Sequence, residues 1–388
     1  SLCYCFSQIF PQHFHYWVLF FFLVAMLQDE VVDPPIKWNR IWLPVLLSVA
    51  VSIYLIATNF NPAALHKIEL SKQLVAGLFF ALLTVLLRDA AYMYRIRIIT
   101  GNKLSWWVSL QVILLWEFGS AVTPGAVGGI ALALFILRKE GISYGQTIAT
   151  IMLTTILDNL AFVLVFTGLV VYHGTSMFSI DAQCADLEGH QILQGLRALS
   201  KGAWIVYGVQ IIATVFLLTG LFFSPALAKK FFYNIASWRL LSRFQNSLQH
   251  LGDDLVITST AFAKQPFSFW SKIIVFTLIS WVSRYALVNG LMFAFADVSL
   301  NMGEVFARQY VLWTFLLVPS TPGASGLAEL SFIALNCEFI PAGLSASVAT
   351  VWRLYSYYIY IILGVIVLPK WLKRVSSKAT ITTSDKVL

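Results

Sequence analysis

Charge is scarce in this sequence, so the few ionisable side chains inside apolar stretches carry the first clues. Arg284 falls within the apolar run 273–296, Arg353 within 342–368 and Asp158 within 144–172. Glu117 precedes one interruption of the apolar pattern and Glu329 follows another. At mid-bilayer depth a charged group costs about 2.5–3.5 kcal/mol on insertion scales, so one that persists there is a functional candidate by default. Arg284 and Arg353 read as groups that neutralise an anion at that depth. Glu117 and Asp158 read equally well as partners in buried structural ion pairs. Arg88 lies nearer a span end, where a long side chain snorkels to the interface.

The interruptions supply a second kind of chemistry. Residues 116–129 read WEFGSAVTPGAVGG, and residues 320–329 read STPGASGLAE. The same Thr-Pro-Gly-Ala break occurs at Thr123–Ala126 and at Thr321–Ala324. Pro124 and Pro322 lack an amide hydrogen and disfavour helix in the residue before them. Gly125, Gly128, Gly323 and Gly326 add backbone freedom. A broken backbone is tolerated inside a bilayer only where protein or a wet cavity covers it. Helices restarting near Gly125 and Gly323 would present free amides and a positive dipole end, which suits an anion such as a lipid phosphate. Close helix packing is the competing role, since Gly125–Gly129 and Gly141–Gly145 are both G-x-x-x-G spacings.

The elements that must hold these groups are membrane helices. The 388 residues are 59% hydrophobic and 11% charged, against about 25% charged in an ordinary soluble protein. Spans are expected at 41–58, 73–93, 144–172, 203–223, 273–296 and 342–368, each near the ~20 residues a crossing needs. Two apolar hairpins are expected around the breaks, over 104–137 and 309–335, either re-entrant or as short full spans. The net charge of +8 does not suggest nucleic acid. Its basic residues cluster in short loops, which sets orientation and favours anionic headgroups. That bookkeeping places Arg88, Arg95, Arg97 and Lys103 at a cytoplasmic end, Asp297–Arg308 in an outer loop and the C-terminus in the cytoplasm, as in a multi-pass protein of the cell (inner) membrane.

The expected organisation is all-α, a polytopic helix bundle with an inverted repeat and two Pro/Gly-broken, re-entrant hairpins. Residues 1–40 form an N-terminal segment. Residues 1–25 precede the first Met, Met26, and are read as sequence upstream of a start. The membrane domain covers 41–372, with repeat one at about 73–172 and repeat two at about 273–368. Paired breaks in two such halves point to a central transport site. Residues 224–272 read as amphipathic helix, either on the inner membrane surface or packed on the bundle. Residues 373–388 read as a disordered cytoplasmic tail. The four cysteines show no metal or disulfide framework, and unpaired thiols are the expectation for Cys184 and Cys337. No H-E-x-x-H, G-x-S-x-G or nucleotide-binding motif occurs, so no metal, cofactor or catalytic residue is expected. The partner expected is a membrane lipid, and the sequence leaves a homo-oligomer open.

These residues resemble a family. The paired breaks, GIS after Arg138-Lys139-Glu140, Asp158, and PGASGLAE with Arg353 downstream resemble the lysylphosphatidylglycerol synthase transmembrane-region family, also called flippase-like integral membrane proteins. The family's P-G-G-x-G-x-x-E reads Pro322 to Glu329 here, with Ala324 in place of the second Gly. Its usual Glu-Arg before the Asp is Ile156-Leu157 here. The best-known members fuse this region to a soluble aminoacyltransferase domain and move the aminoacylated lipid. The residues after 372 are too few to form that domain, so the resemblance implies the lipid-moving half. That makes a flippase-like transporter of a polar or anionic headgroup lipid the leading expectation. A membrane-embedded lipid-modifying enzyme and a small-solute permease stay open beside it.

Overall fold

Long apolar runs with few breakers dictate long helices, and the chain forms them. The computed structural model describes residues 70–123, 127–180, 190–237, 245–296, 301–316, 322–341 and 343–384, all helix or short connections. Helix α1 is Lys72–Ile99, about 42 Å long at 1.5 Å per residue. The Ser71 side chain caps it by accepting from the Leu74 amide at 3.0 Å. Helices α2 (Trp106–Val122) and α3 (Val127–Lys139) flank the first break, and α4 is Tyr144–His173. Then come α5 (His190–Phe222), α6 (Pro225–Ala236), α7 (Gln245–Phe262) and α8 (Phe267–Phe295). Helices α9 (Met302–Leu316) and α10 (Leu327–Asn336) flank the second break. Helix α11 (Ser345–Arg353) runs through one π-turn, Leu354–Tyr358, into α12 (Ile359–Ser384).

Five helical stretches are long and apolar enough to cross a membrane: Lys72–Ile99, Tyr144–His173, Ser200–Phe222, Phe267–Phe295 and Ser345–Val375. They coincide with five of the expected spans; the sixth, 41–58, lies outside the described residues. Exposed Phe79, Leu83 and Leu86 give α1 an outward apolar face, as lipid contact requires. Helix α10 reaches only about 15 Å, half a hydrocarbon core.

Helices α1 and α8 form the axis, packed antiparallel along their length. Gln73 Nε2 donates to the Phe293 carbonyl at 2.8 Å, and near the other end the Tyr94 and Phe276 rings stack at 4.8 Å. Glycine permits this approach. A Cβ on Gly290 would lie 2.9 Å from the Ala81 amide nitrogen, and one on Gly77 would lie 2.6 Å from the Gly290 carbonyl oxygen. The core divides along this axis. Leu115, Ile136, Leu153, Leu255 and Trp371 fill one end; Phe162, Phe166, Tyr310, Phe332 and Leu335 fill the other.

Several expectations are corrected. Arg308 is not in a loop: α9 begins at Met302, where the Asn301 side chain accepts from the Gly303 and Glu304 amides. Arg308 is buried, donating to the Leu335 carbonyl at 2.5 Å and pairing with Glu304 and Glu338. Residues 224–272 are no correction: they contribute α6 and α7, packed on the bundle through Phe232, Leu248, Leu255 and Phe262, one of the two arrangements left open above; Trp238, Leu241 and Phe244 of the expected stripe lie outside the described residues. Helix α12 continues to Ser384, past the point where disorder is expected, because no Gly or Pro follows Pro369 to stop it. Cys337 is disulfide-bonded rather than a free thiol; Cys3, Cys5 and Cys184 lie outside the described residues.

Candidate functional site

Helix α1 presents Arg88, Tyr92 and Arg95 at i, i+4 and i+7, one face of a helix. Each meets a group from another element. Arg95 forks onto Asp158 of α4, Nη1 to Oδ1 at 2.5 Å and Nη2 to Oδ2 at 3.2 Å. Trp281 Nε1 of α8 donates to the same Asp158 Oδ1 at 2.8 Å. Arg284 Nη2 of α8 donates to Glu117 Oε1 of α2 at 2.7 Å and to the Tyr92 hydroxyl at 3.2 Å. Arg88 Nη2 holds its neighbour Asp89 at 2.8 Å and stands 4.0 Å from Glu117. The Tyr360 hydroxyl of α12 closes the chain, donating to Asp89 Oδ2 at 2.9 Å.

Three guanidiniums thus face three carboxylates across four helices and α12. The balance follows from the medium, because an uncompensated charge in low dielectric costs several kcal/mol. Access differs among the members. Arg88 and Arg95 side chains are only 3% and 5% exposed, whereas Glu117, Arg284 and Asp158 keep 17%, 23% and 25%. Asp89 lies between, at 13%.

The second break forms a separate cluster. Gly323, Ala324 and Gly326 have φ of +58°, +53° and +88°, so the chain turns through the left-handed region. A Cβ on Gly323 would fall 2.1 Å from the Tyr357 ring. Arg353 Nε donates to Glu329 Oε1 at 2.9 Å, and its Nη2 donates to the Gly323 carbonyl at 2.9 Å and Ser325 Oγ at 3.3 Å. The guanidinium lies 3.9 Å over the Tyr357 ring, a cation–π contact. Tyr357 then donates its hydroxyl to the Ala121 carbonyl at 3.1 Å. This bond joins the second break to the last turn of α2, where Thr123 Oγ1 donates to the Gly119 carbonyl at 2.8 Å.

The sequence-predicted residues therefore fall into two groups. Arg353, Glu329, Gly323 and Gly326 meet at the second break, with Thr123 one turn-end away through Tyr357. Arg284 and Glu117 pair directly, and Asp158 joins them through Arg95 and Tyr92. Gly128 lies in the first turn of α3 and Pro322 opens the second turn. Pro124, Gly125 and Thr321 lie outside the described residues. One expectation changes: the amide of Gly326, at the restart of α10, is not open to a ligand but donates to Glu329 Oε2 at 2.7 Å. Gly129 serves packing, since a Cβ there would lie 2.8 Å from the Trp116 carbonyl oxygen.

Two basic residues assigned to the membrane surface are interior. Arg88 does not snorkel, and Arg95 is not solvated at a helix end; both are buried, because α1 supplies Asp89 and α4 supplies Asp158 as partners. Asp89, Tyr92, Tyr357 and Tyr360 were not singled out from the sequence, and Arg95 only as an orientation marker. The Arg88–Tyr92–Arg95 and Arg353–Tyr357 helical spacings were the available signal.

Comparison with known proteins agrees with this architecture. The lysylphosphatidylglycerol synthase TM region family matches residues 41–364. A UPF0104 membrane protein of Archaeoglobus fulgidus is 22% identical over 276 residues, covering 69% of this chain and 76% of that protein. No solved structure matches. The family match spans every described membrane-length helix up to Gly364, and the chain belongs to the lysylphosphatidylglycerol synthase TM region family of integral membrane proteins.

Proposed function

We propose that this membrane protein is a flippase-like carrier that moves a lipid with a polar or anionic headgroup across the bilayer. The headgroup passes the point where the second break meets the end of α2, and the acyl chains stay in the membrane. The observation that carries the reading is the Tyr357–Ala121 bond, which sets the Arg353 cluster against the end of α2. Buried guanidiniums beside irregular backbone are what a phosphate needs at mid-depth.

The repeats of this carrier, about 73–172 and about 273–368, run from α1 to α4 and from α8 into α12 in opposite orientations, with α2–α3 and α9–α10 as re-entrant hairpins. The antiparallel packing of α1 on α8 supports it, as does a likeness at the two hairpin ends. Glu140, just after α3, is held by Arg374 and by Trp371 Nε1; Glu338, just after α10, is held by Arg308. The C-terminus is cytoplasmic in this arrangement, and the host membrane is the cell (inner) membrane.

The test is reconstitution in liposomes with headgroup-labelled lipids of anionic, zwitterionic and neutral classes. Faster exchange between leaflets for a polar or anionic class is expected. Exchange no faster than in protein-free liposomes for every class overturns the reading. Uptake of a small solute without lipid movement would assign a permease, and a chemically altered lipid would assign an enzyme.

A further inference from the structure

Around Arg284, three buried polar atoms have no hydrogen-bond partner among the described residues: Arg284 Nε, the Tyr285 hydroxyl and the Tyr310 hydroxyl. Leaving a buried donor unmade costs about 1–3 kcal/mol, so three around one place call for an occupant. They belong to one neighbourhood. The Tyr285 and Tyr310 rings are 4.2 Å apart, Trp281 is 5.7 Å from Tyr285, and Tyr92 is bonded to Arg284.

The donor set selects the ligand class. The unpartnered groups of this neighbourhood are two phenol hydroxyls and a guanidinium N–H, all able to donate, and the nearby carboxylates are committed: Asp158 to Arg95 and Trp281, Glu117 to Arg284. We infer that Arg284, Tyr285 and Tyr310 form an oxyanion subsite for a phosphodiester or phosphate monoester, separate from the Arg353 cluster. Arg284 holds the charge, and the two hydroxyls donate to the phosphate oxygens. The partial exposure of Arg284, Glu117 and Asp158 gives the way in. As a headgroup site this deepens the carrier reading and rests on it; as a phosphate site it stands alone.

The experiment titrates detergent-purified protein with dioctanoyl phosphatidylglycerol, dioctanoylglycerol and inorganic phosphate, following tryptophan fluorescence, since Trp281 adjoins the site. The Tyr285→Phe/Tyr310→Phe double variant keeps both rings and removes only hydroxyls that make no bond. Its thermal unfolding should equal the parent's or exceed it. Its affinity for the phosphate-bearing ligand should fall by about tenfold or more, as loss of bonds to an anion dictates, with dioctanoylglycerol unaffected. Binding of phosphatidylglycerol but not inorganic phosphate identifies a lipid headgroup; binding of both identifies a general phosphate site. Unchanged affinity in the double variant, or no phosphate-dependent binding by the parent, overturns the subsite. Subsite binding without lipid exchange in liposomes would instead retire the carrier reading and leave the site.

Discussion

Tyr357 and Ala121 stand 236 residues apart, yet the Tyr357 hydroxyl donates to the Ala121 carbonyl at 3.1 Å. The same ring carries Arg353 on its face at 3.9 Å and leaves room at Gly323 only for a hydrogen. One side chain thus couples the end of α2, the second break and a buried guanidinium. Tyr357→Phe keeps the ring and removes the bond. It should lower stability by about 1–3 kcal/mol, because the Ala121 carbonyl is left without that donor. Thermal unfolding in detergent checks it, and an unchanged midpoint would show that the two breaks are not coupled energetically.

Glu329 is held twice, by Arg353 Nε at 2.9 Å and by the Gly326 amide at 2.7 Å. Removing one partner of a buried pair strands the other. Glu329→Ala should therefore cost about 3–5 kcal/mol, read as loss of folded protein on size-exclusion or a large drop in unfolding midpoint. Glu329→Gln keeps an acceptor for the amide and should fall between Ala and the parent.

Ala324 sits at φ +53°, where an L side chain costs about 1–2 kcal/mol. Glycine relieves that strain and loses part of the gain to a freer unfolded chain. Ala324→Gly should raise stability by about 0.5–1 kcal/mol. A destabilised variant would contradict the left-handed turn.

Gly290 faces the Ala81 amide nitrogen across the α1–α8 axis at 2.9 Å from a hypothetical Cβ. Backbone cannot retreat as a flexible side chain can. Gly290→Ala should cost about 1–3 kcal/mol by overpacking, whereas Gly168→Ala, with open space around it, should cost nothing by this mechanism. Comparing their unfolding midpoints checks the axis.

Lys229 and Asp253 pair at 2.6 Å between α6 and α7, both well exposed. The hydrogen bond to Asp253, and then its charge, hold Lys229 above the usual lysine value. A raised folded value means the contribution is whole below the unfolded lysine pKa and fades as pH rises through the folded one. Asp253→Asn should destabilise slightly at neutral pH, and the gap to the parent should close in strong alkali. A gap that widens with pH would contradict the sign.

The five described spans were legible because each is an apolar run of about membrane length. The breaks were legible because Pro and Gly interrupt such runs at Pro124 and Pro322. The pairing of charges was not, since Arg95 and Asp158 are 63 residues apart and meet only when α1 and α4 pack. Arg308 was misplaced for the same reason: a basic residue near polar sequence reads as solvated until Glu304 and Glu338 close around it. The amide expected to bind an anion at the second break was instead satisfied by Glu329, three residues on. That spacing was visible in the sequence, but its geometry was not.

The most direct measurement uses a phospholipid with a photoreactive diazirine in its anionic headgroup, activated in liposomes containing the protein, with the adducts mapped by mass spectrometry. A headgroup carried between the breaks should label residues around Ala121–Thr123, Gly323–Ser325 or Arg284–Tyr285. Adducts confined to the outward faces, such as Phe79 and Leu86 of α1, with none at those interior positions, would contradict it.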